Sequence, residues 1–263
     1  MSLRDAAISR RAPERRSNVR LARPTVCAAL VLVVGVLAFA AAGCGSAARR
    51  TGGQSGAVSS APGGGSAAAA GGRGSGAAHG TGAEVRTLLA GIPQRGDALG
   101  DPNAPVTLEY FADLQCPFCR RFTLGKLTAL IERYVRPGEL RIEFRSMQSA
   151  THDRQIFIAQ QVAALAAGAQ DRLWNYVELF YREQGEEDSG YVTESYLQGL
   201  AQQVGGLNLG AWTAARGDPR FGERLARDAR TVREAGLTIT PSFLIAHERG
   251  AHDVAAIKQL VQS

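Results

Sequence analysis

The sequence predicts an α/β domain carrying a helical insertion, on three observations. Strand-like runs bounded by turn residues stand at VTLEYFAD (Val106–Asp113), ELRIEFRSM (Glu139–Met147) and TITPSFLIA (Thr238–Ala246). Helix-period stretches follow the first and the third of them. Between the second and the third, about residues 153–235, the chain reads as a succession of amphipathic helices.

The N-terminal 44 residues stand apart. They hold seven arginines against Asp5 and Glu14, a net +5, while the rest of the chain carries 23 basic and 22 acidic groups. The formal charge of +6 therefore belongs to an N-terminal arm. No basic patch interleaved with aromatics exists elsewhere, which argues against nucleic acid as a partner. The uncharged run Thr25–Gly43 is just long enough to span a bilayer as a helix. Positive charge ahead of it predicts an N-terminus inside the cell and the rest outside. The run ends in AAGC, Ala41–Cys44, which resembles a bacterial lipobox with Ala41 where leucine is usual. The resemblance implies a lipidated Cys44, and the alternative is an uncleaved anchor. Residues 1–44 are thus expected to be a signal or anchor segment. Residues 45–83, rich in Gly, Ala and Ser, bury too little apolar surface to offset their ordering entropy and are expected to be a disordered tether.

Residues 84–263 are the expected folded domain. After GDPNAP and the first strand comes LQCPFCRRFTLGKLTALIERYV, in which Phe122, Leu127, Leu130, Ile131 and Val135 recur at helical spacing until Pro137-Gly138 ends the helix. The second strand follows, then the helical stretch. There Trp174, Tyr176, Leu179 and Phe180 form an apolar face expected in the core, and Glu186-Glu187-Asp188 a solvated loop. The third strand and a last helix, DVAAIKQLVQ, close the domain.

The chemistry is concentrated in Cys116-Pro117-Phe118-Cys119, where a strand gives way to a helix. Disulfide exchange proceeds through a thiolate. Unpaired backbone N–H groups at a helix N-terminus favour negative charge, so Cys116 is expected to have a lowered pKa, with Cys119 one turn on to resolve a mixed disulfide. Pro117 suits the first turn because its missing N–H has no helical partner there. A structural zinc is a rival reading, but it needs about four ligands; there is no second cysteine pair, and His79, His152, His247 and His252 are scattered. A purely structural disulfide is another, although so short a loop constrains the unfolded chain little.

CPFC between a strand and a helix, the helical insertion, and Thr240-Pro241 opening a distant strand together resemble the thioredoxin superfamily, in its DsbA-like branch of extracytoplasmic thiol–disulfide oxidoreductases. The resemblance covers about residues 88–263. It implies a thioredoxin fold with an inserted helical domain and a cis bond at Pro241 facing the cysteines. It also implies substrate contacts from Pro117, Phe118, Thr240 and Pro241, and no bound cofactor or metal. Phe118 departs from the family's histidine at that place. Tyr110 stands where the family often has a buried acid, Glu109 should point to the other face, and Asp113 is read as a turn residue, with a proton relay as the alternative. Arg120 and Arg121 are expected on the exposed side of the first helical turn.

The function these expectations compose is a membrane-tethered oxidoreductase on the extracytoplasmic face of the cell membrane. It would exchange its CPFC disulfide with reduced or misoxidised client proteins as an oxidase, re-oxidised by a quinone-linked membrane partner. A thiol reductase, an isomerase, or a redox-inert peptide-binding scaffold are the alternatives. Residues 45–83 cannot be the dimerisation domain that isomerases of the superfamily generally carry.

Overall fold

The computed structural model describes residues 2–7, 75–247 and 254–262. A central sheet has the strands β1 (Ser2–Ala7), β2 (Gln94–Arg95), β3 (Ala98–Leu99), β4 (Val106–Ala112), β5 (Leu140–Ser146) and β6 (Ser242–His247), in the order β1-β6-β4-β5-β3-β2. β4 and β5 are parallel, and β6 runs antiparallel to β4. This is the thioredoxin-like sheet, and the chain between β5 and β6 supplies the helical insertion.

A helical rod joins β4 to β5. It begins as α2 (Pro117–Phe122) and continues through π-helical turns at Thr123–Leu127 and Ile131–Val135 on either side of α3 (Thr128–Leu130). Leu127, Leu130, Ile131 and Val135 are buried along it. The i→i+5 turns widen the helix locally, which a period of 3.6 does not reveal. Gly138 closes the rod with φ 84°, a conformation that only glycine adopts freely.

The insertion holds α4 (Arg154–Gly168), α5 (Leu173–Arg182), α6 (Glu194–Gln203), α7 (Leu209–Ala215) and α8 (Pro219–Glu234). Four of the five carry the cap their sequence signals: Asp153, Thr193, Asn208 and Asp218 each accept a first-turn backbone N–H. α4 buries Ala163, Ala164, Ala166 and Ala167, small side chains that let α5 and α7 come close; Trp212 of α7 donates to the Ala163 carbonyl at 2.9 Å. Trp174, Tyr176, Leu179 and Phe180 of α5 are all essentially inaccessible.

The two faces of the sheet differ in kind. On one, Tyr110, Phe122, Phe144 and Phe243 form an aromatic layer, with Tyr110 stacked on Phe243 at 5.5 Å. Burial of each such ring contributes roughly 2–3 kcal/mol. On the other, Glu109 of β4 and Glu143 of β5 meet Arg145, whose guanidinium also reaches Asp97 at 2.6 Å. Arg224 of α8 pairs with Asp97 and with Asp228, and Asp228 accepts from the Ser146 backbone. Glu109 thus points away from the cysteines, as strand alternation requires.

Two expectations at the N-terminal end need correction. The tether was expected to run to residue 83, but α1 (Ser75–Leu89) begins inside it. The small residues that read as tether composition serve as contacts: a Cβ at Gly82 would stand 2.8 Å from the Gln203 carbonyl oxygen, and Val85 and Leu89 enter the core. In the expected signal segment, Ser2–Ala7 pairs as β1 in parallel with β6. β1 satisfies the backbone groups on that edge of β6; residues 248–253 lie outside the described residues. The remainder of 1–44, including Cys44 and the apolar run, and residues 45–74 of the tether lie outside the described residues. No helix among the described residues is long and apolar enough to cross a membrane. α9 (Val254–Gln262) packs Ile257 and Val261 into the core.

Candidate active site

Cys116 caps the rod. Its backbone is extended, with φ −69° and ψ 121°, and its sulfur accepts the Cys119 backbone N–H at 3.4 Å. Pro117 occupies the first helical position. Facing this cap is the turn into β6, where the Thr240–Pro241 bond is cis and the Thr240 carbonyl lies 3.5 Å from the Cys116 sulfur. The two cysteines are free thiols, and they are not equivalent. Cys116 is 3% exposed yet lines an open groove of about 760 Å³, together with Pro117, Phe118, Ser149, Thr240 and Pro241. Cys119 has no exposed surface and lies beneath it. A visiting sulfur therefore reaches one thiol only.

The electrostatics follow the same division. Cys116 is lowered to about 6, chiefly by the hydrogen bond from the Cys119 thiol, with help from Thr240 and the backbone N–H groups of Cys119 and Phe118, while burial opposes. Burial pushes Cys119 well above its usual range, and the neighbouring Cys116 pushes it further. With a folded value below the unfolded one, Cys116 holds fewer protons in the native state between about pH 6 and pH 9. The reduced protein should accordingly gain stability as pH rises through that window and lose it as pH falls through 6. Titration of the thiolate's ultraviolet absorbance should show one sulfur ionising near pH 6; a first midpoint above pH 8 would contradict this geometry.

Tyr110, in the place where an acid was sought, is fully buried, and its hydroxyl donates toward the Cys119 carbonyl at 3.3 Å and pairs with Thr123 Oγ1 at 3.1 Å. Burial raises it well above the usual phenol range. Asp113 is also fully buried, but its carboxylate is turned into the loop after β5. It accepts from the backbone N–H groups of Gln115, Ser149, Ala150 and Thr151, from the Thr151 hydroxyl at 2.6 Å, and from the Gln160 amide at 3.1 Å. No carboxylate appears among the causes that shift Cys119. Asp113 thus organises the loop after β5 with its carboxylate. The loop matters to the site because Ser149 pairs through its hydroxyl with that of Thr240.

Four hydrogen bonds that no motif announces tie the insertion to the CPFC turn. Tyr181 donates to the Asp113 carbonyl at 3.1 Å, and Gln184 to the carbonyls of Leu114 and Cys116 at 2.7 and 3.3 Å. Arg120, exposed as expected, also donates to the Tyr181 carbonyl at 2.8 Å. The other expected residues lie where the motif put them: Phe118 is 58% exposed with Arg121 over its ring, and the loop of Glu186, Glu187 and Asp188 is solvated, Asp188 pairing with His152. No three histidine, cysteine or acidic side chains gather as a metal site among the described residues.

A dithiol with one sulfur at a helix tip, facing a cis-proline turn, defines a thiol–disulfide exchange site on a thioredoxin fold. The chain belongs to the thioredoxin family, whose model matches residues 94–263. Among curated proteins it is similar to a probable disulfide bond formation protein D of Bacillus anthracis, 26% identical over 106 residues, 40% of this chain and 48% of that protein. The match thus spans about half the length of that relative. Among solved structures it resembles oxidised BdbD from Bacillus subtilis, with a TM-score of 0.53 at 16% identity over 65% of this chain and 98% of that one. DsbA of Chlamydia trachomatis gives 0.51 at 18% identity, over 63% and 89%.

Proposed function

We propose that the protein is a thiol–disulfide oxidoreductase that oxidises client proteins outside the cytoplasm. The observation that carries the reading is the division of labour between the two sulfurs: one reachable and favoured as thiolate, the other sealed and favoured as thiol. In the oxidising direction a client thiolate attacks Cys116 Sγ of the CPFC disulfide. The S–S bond breaks, a client–Cys116 disulfide forms, and the Cys119 sulfur leaves and takes up a proton. A second client thiolate then attacks the client sulfur and expels Cys116 as thiolate. Two electrons pass from client to enzyme. A low pKa makes Cys116 a good leaving group and stabilises the reduced enzyme, both of which favour client oxidation. Thr240 and Pro241 hold the client beside Cys116, with Pro117 and Phe118 forming the helical wall. No bound cofactor is required, because the electrons are stored in the protein's own cysteines.

The location belongs to the same proposal. The uncharged run Thr25–Gly43 and Cys44 in its lipobox-like setting support a domain tethered to the outer face of the cell membrane by residues 45–74; processing at Cys44 would remove Ser2–Ala7 and leave β6 as an edge strand of the mature domain. Re-oxidation there falls to a quinone-linked membrane partner. Equilibrium titration of the CPFC pair in a glutathione buffer tests the direction: a potential near −120 mV is expected, and one near −270 mV would assign the protein to reduction instead.

A further inference from the structure

We propose that the groove beside Cys116 selects clients bearing a carboxylate about two to four residues from the reacting cysteine. This rests on the exchange activity proposed above and names its substrate class. Four large apolar side chains are exposed among the described residues, and two of them, Phe118 at 58% and Ile239 at 46%, line this one groove. An exposed apolar cluster at the mouth of a reactive thiol is a surface for an extended chain.

The charges around it are sorted. Arg121 and Lys126 line the groove from the rod, and Arg121 is fixed with its guanidinium carbon 5.1 Å from the Phe118 ring centroid. Neither has a carboxylate partner among the described residues, whereas Arg136, Arg145, Arg216 and Arg224 all do. Glu187 is the one acidic side chain lining the groove among the described residues, and it comes from the loop after α5. Cations near a thiol can serve the thiolate itself, but the groups that lower Cys116 are hydrogen-bond donors, with no arginine or lysine among them. The two cations therefore act on whatever occupies the groove.

Their positions set the spacing. At a helical rise of ~1.5 Å per residue, Arg121 lies ~7.5 Å along the rod from Cys116 and Lys126 up to ~15 Å. An extended client covers about 3.3 Å per residue, which brings a carboxylate two to four residues from its cysteine opposite these cations.

Oxidised full-length protein would be reacted with dithiol peptides identical except for Glu, Gln or Lys three residues from the first cysteine. Each rate is divided by the same peptide's rate with the uncharged 2-hydroxyethyl disulfide, which removes the charge's effect on the peptide thiol. The expected order is Glu, Gln, Lys, spanning about tenfold at low ionic strength for two exposed charge pairs, and compressed by added salt. The combined Arg121→Glu and Lys126→Glu substitutions should reverse the order, and Arg121→Gln alone should narrow it. Equal normalised rates, or an order unchanged by reversal, would overturn the inference while leaving the exchange activity intact. Failure of every peptide to reduce the disulfide would overturn both. Binding of the corresponding serine peptides to a Cys116→Ser, Cys119→Ser protein keeps the two apart: the same charge order there supports the groove assignment independently of the redox chemistry, and equal affinities count against it.

Discussion

Cys116→Ser should reduce the oxidative refolding of a reduced client to the uncatalysed rate, while Cys119→Ser should accumulate a covalent client complex. The asymmetry follows from access. Only the Cys116 sulfur borders the groove, so its loss leaves the client nothing to attack, and serine at its neighbouring rotamer space keeps the fold. Without Cys119, Cys116 is first converted to a glutathione mixed disulfide by the oxidised glutathione of the refolding buffer; a client thiolate then displaces glutathione, and the client–Cys116 disulfide has no internal thiol to release it. Non-reducing electrophoresis of each variant with client is the measurement. Retained refolding by Cys116→Ser, or client complexes formed through Cys119 in its absence, would remove the basis of the proposed mechanism.

Asp113→Ala should cost about 4 kcal/mol or more of folding stability, read by denaturant unfolding of the reduced protein. For a folded part of this size that corresponds to roughly 10 °C in Tm. The buried carboxylate takes six donors, and three of them are the buried backbone N–H groups of Gln115, Ala150 and Thr151, which have no water to turn to. Asp113→Asn should cost less, because the amide keeps one acceptor oxygen, but its NH₂ then faces N–H donors. A loss below about 1 kcal/mol in the alanine variant would mean that the loop at Ser149–Thr151 is held by something else.

The sequence carried the reacting atoms more plainly than their supports. CPFC and Thr240-Pro241 are legible because each needs particular residues: sulfur for exchange, and an imide nitrogen at the turn. The alternation of β4 and the apolar period of α5 are legible because burial repeats. Asp113 looked like a turn residue or a relay because its six donors come from segments up to 47 residues away, and QSAT at residues 148–151 has no pattern of its own. Gln184 and Tyr181 brace the motif by bonds to carbonyls, and any segment offers carbonyls. α1 was read as tether from Ser75 to Ala83 because close helix packing and disorder both use glycine and alanine. Composition alone does not separate them; the partner across the contact, here the end of α6, does.

The two unlike faces of the sheet bear on how the chain finds its alignment. Along β4 the order is Glu109 then Tyr110, and along β5 it runs Glu143, Phe144, Arg145, so neighbours in sequence belong to opposite layers. Sliding either strand by a single residue would drive a carboxylate or a guanidinium among the remaining aromatic rings and strand its former partners, at a cost on the order of several kcal/mol. Mispaired intermediates are thereby penalised from within, and the cap that presents Cys116 to its visitors inherits its placement from that proofreading.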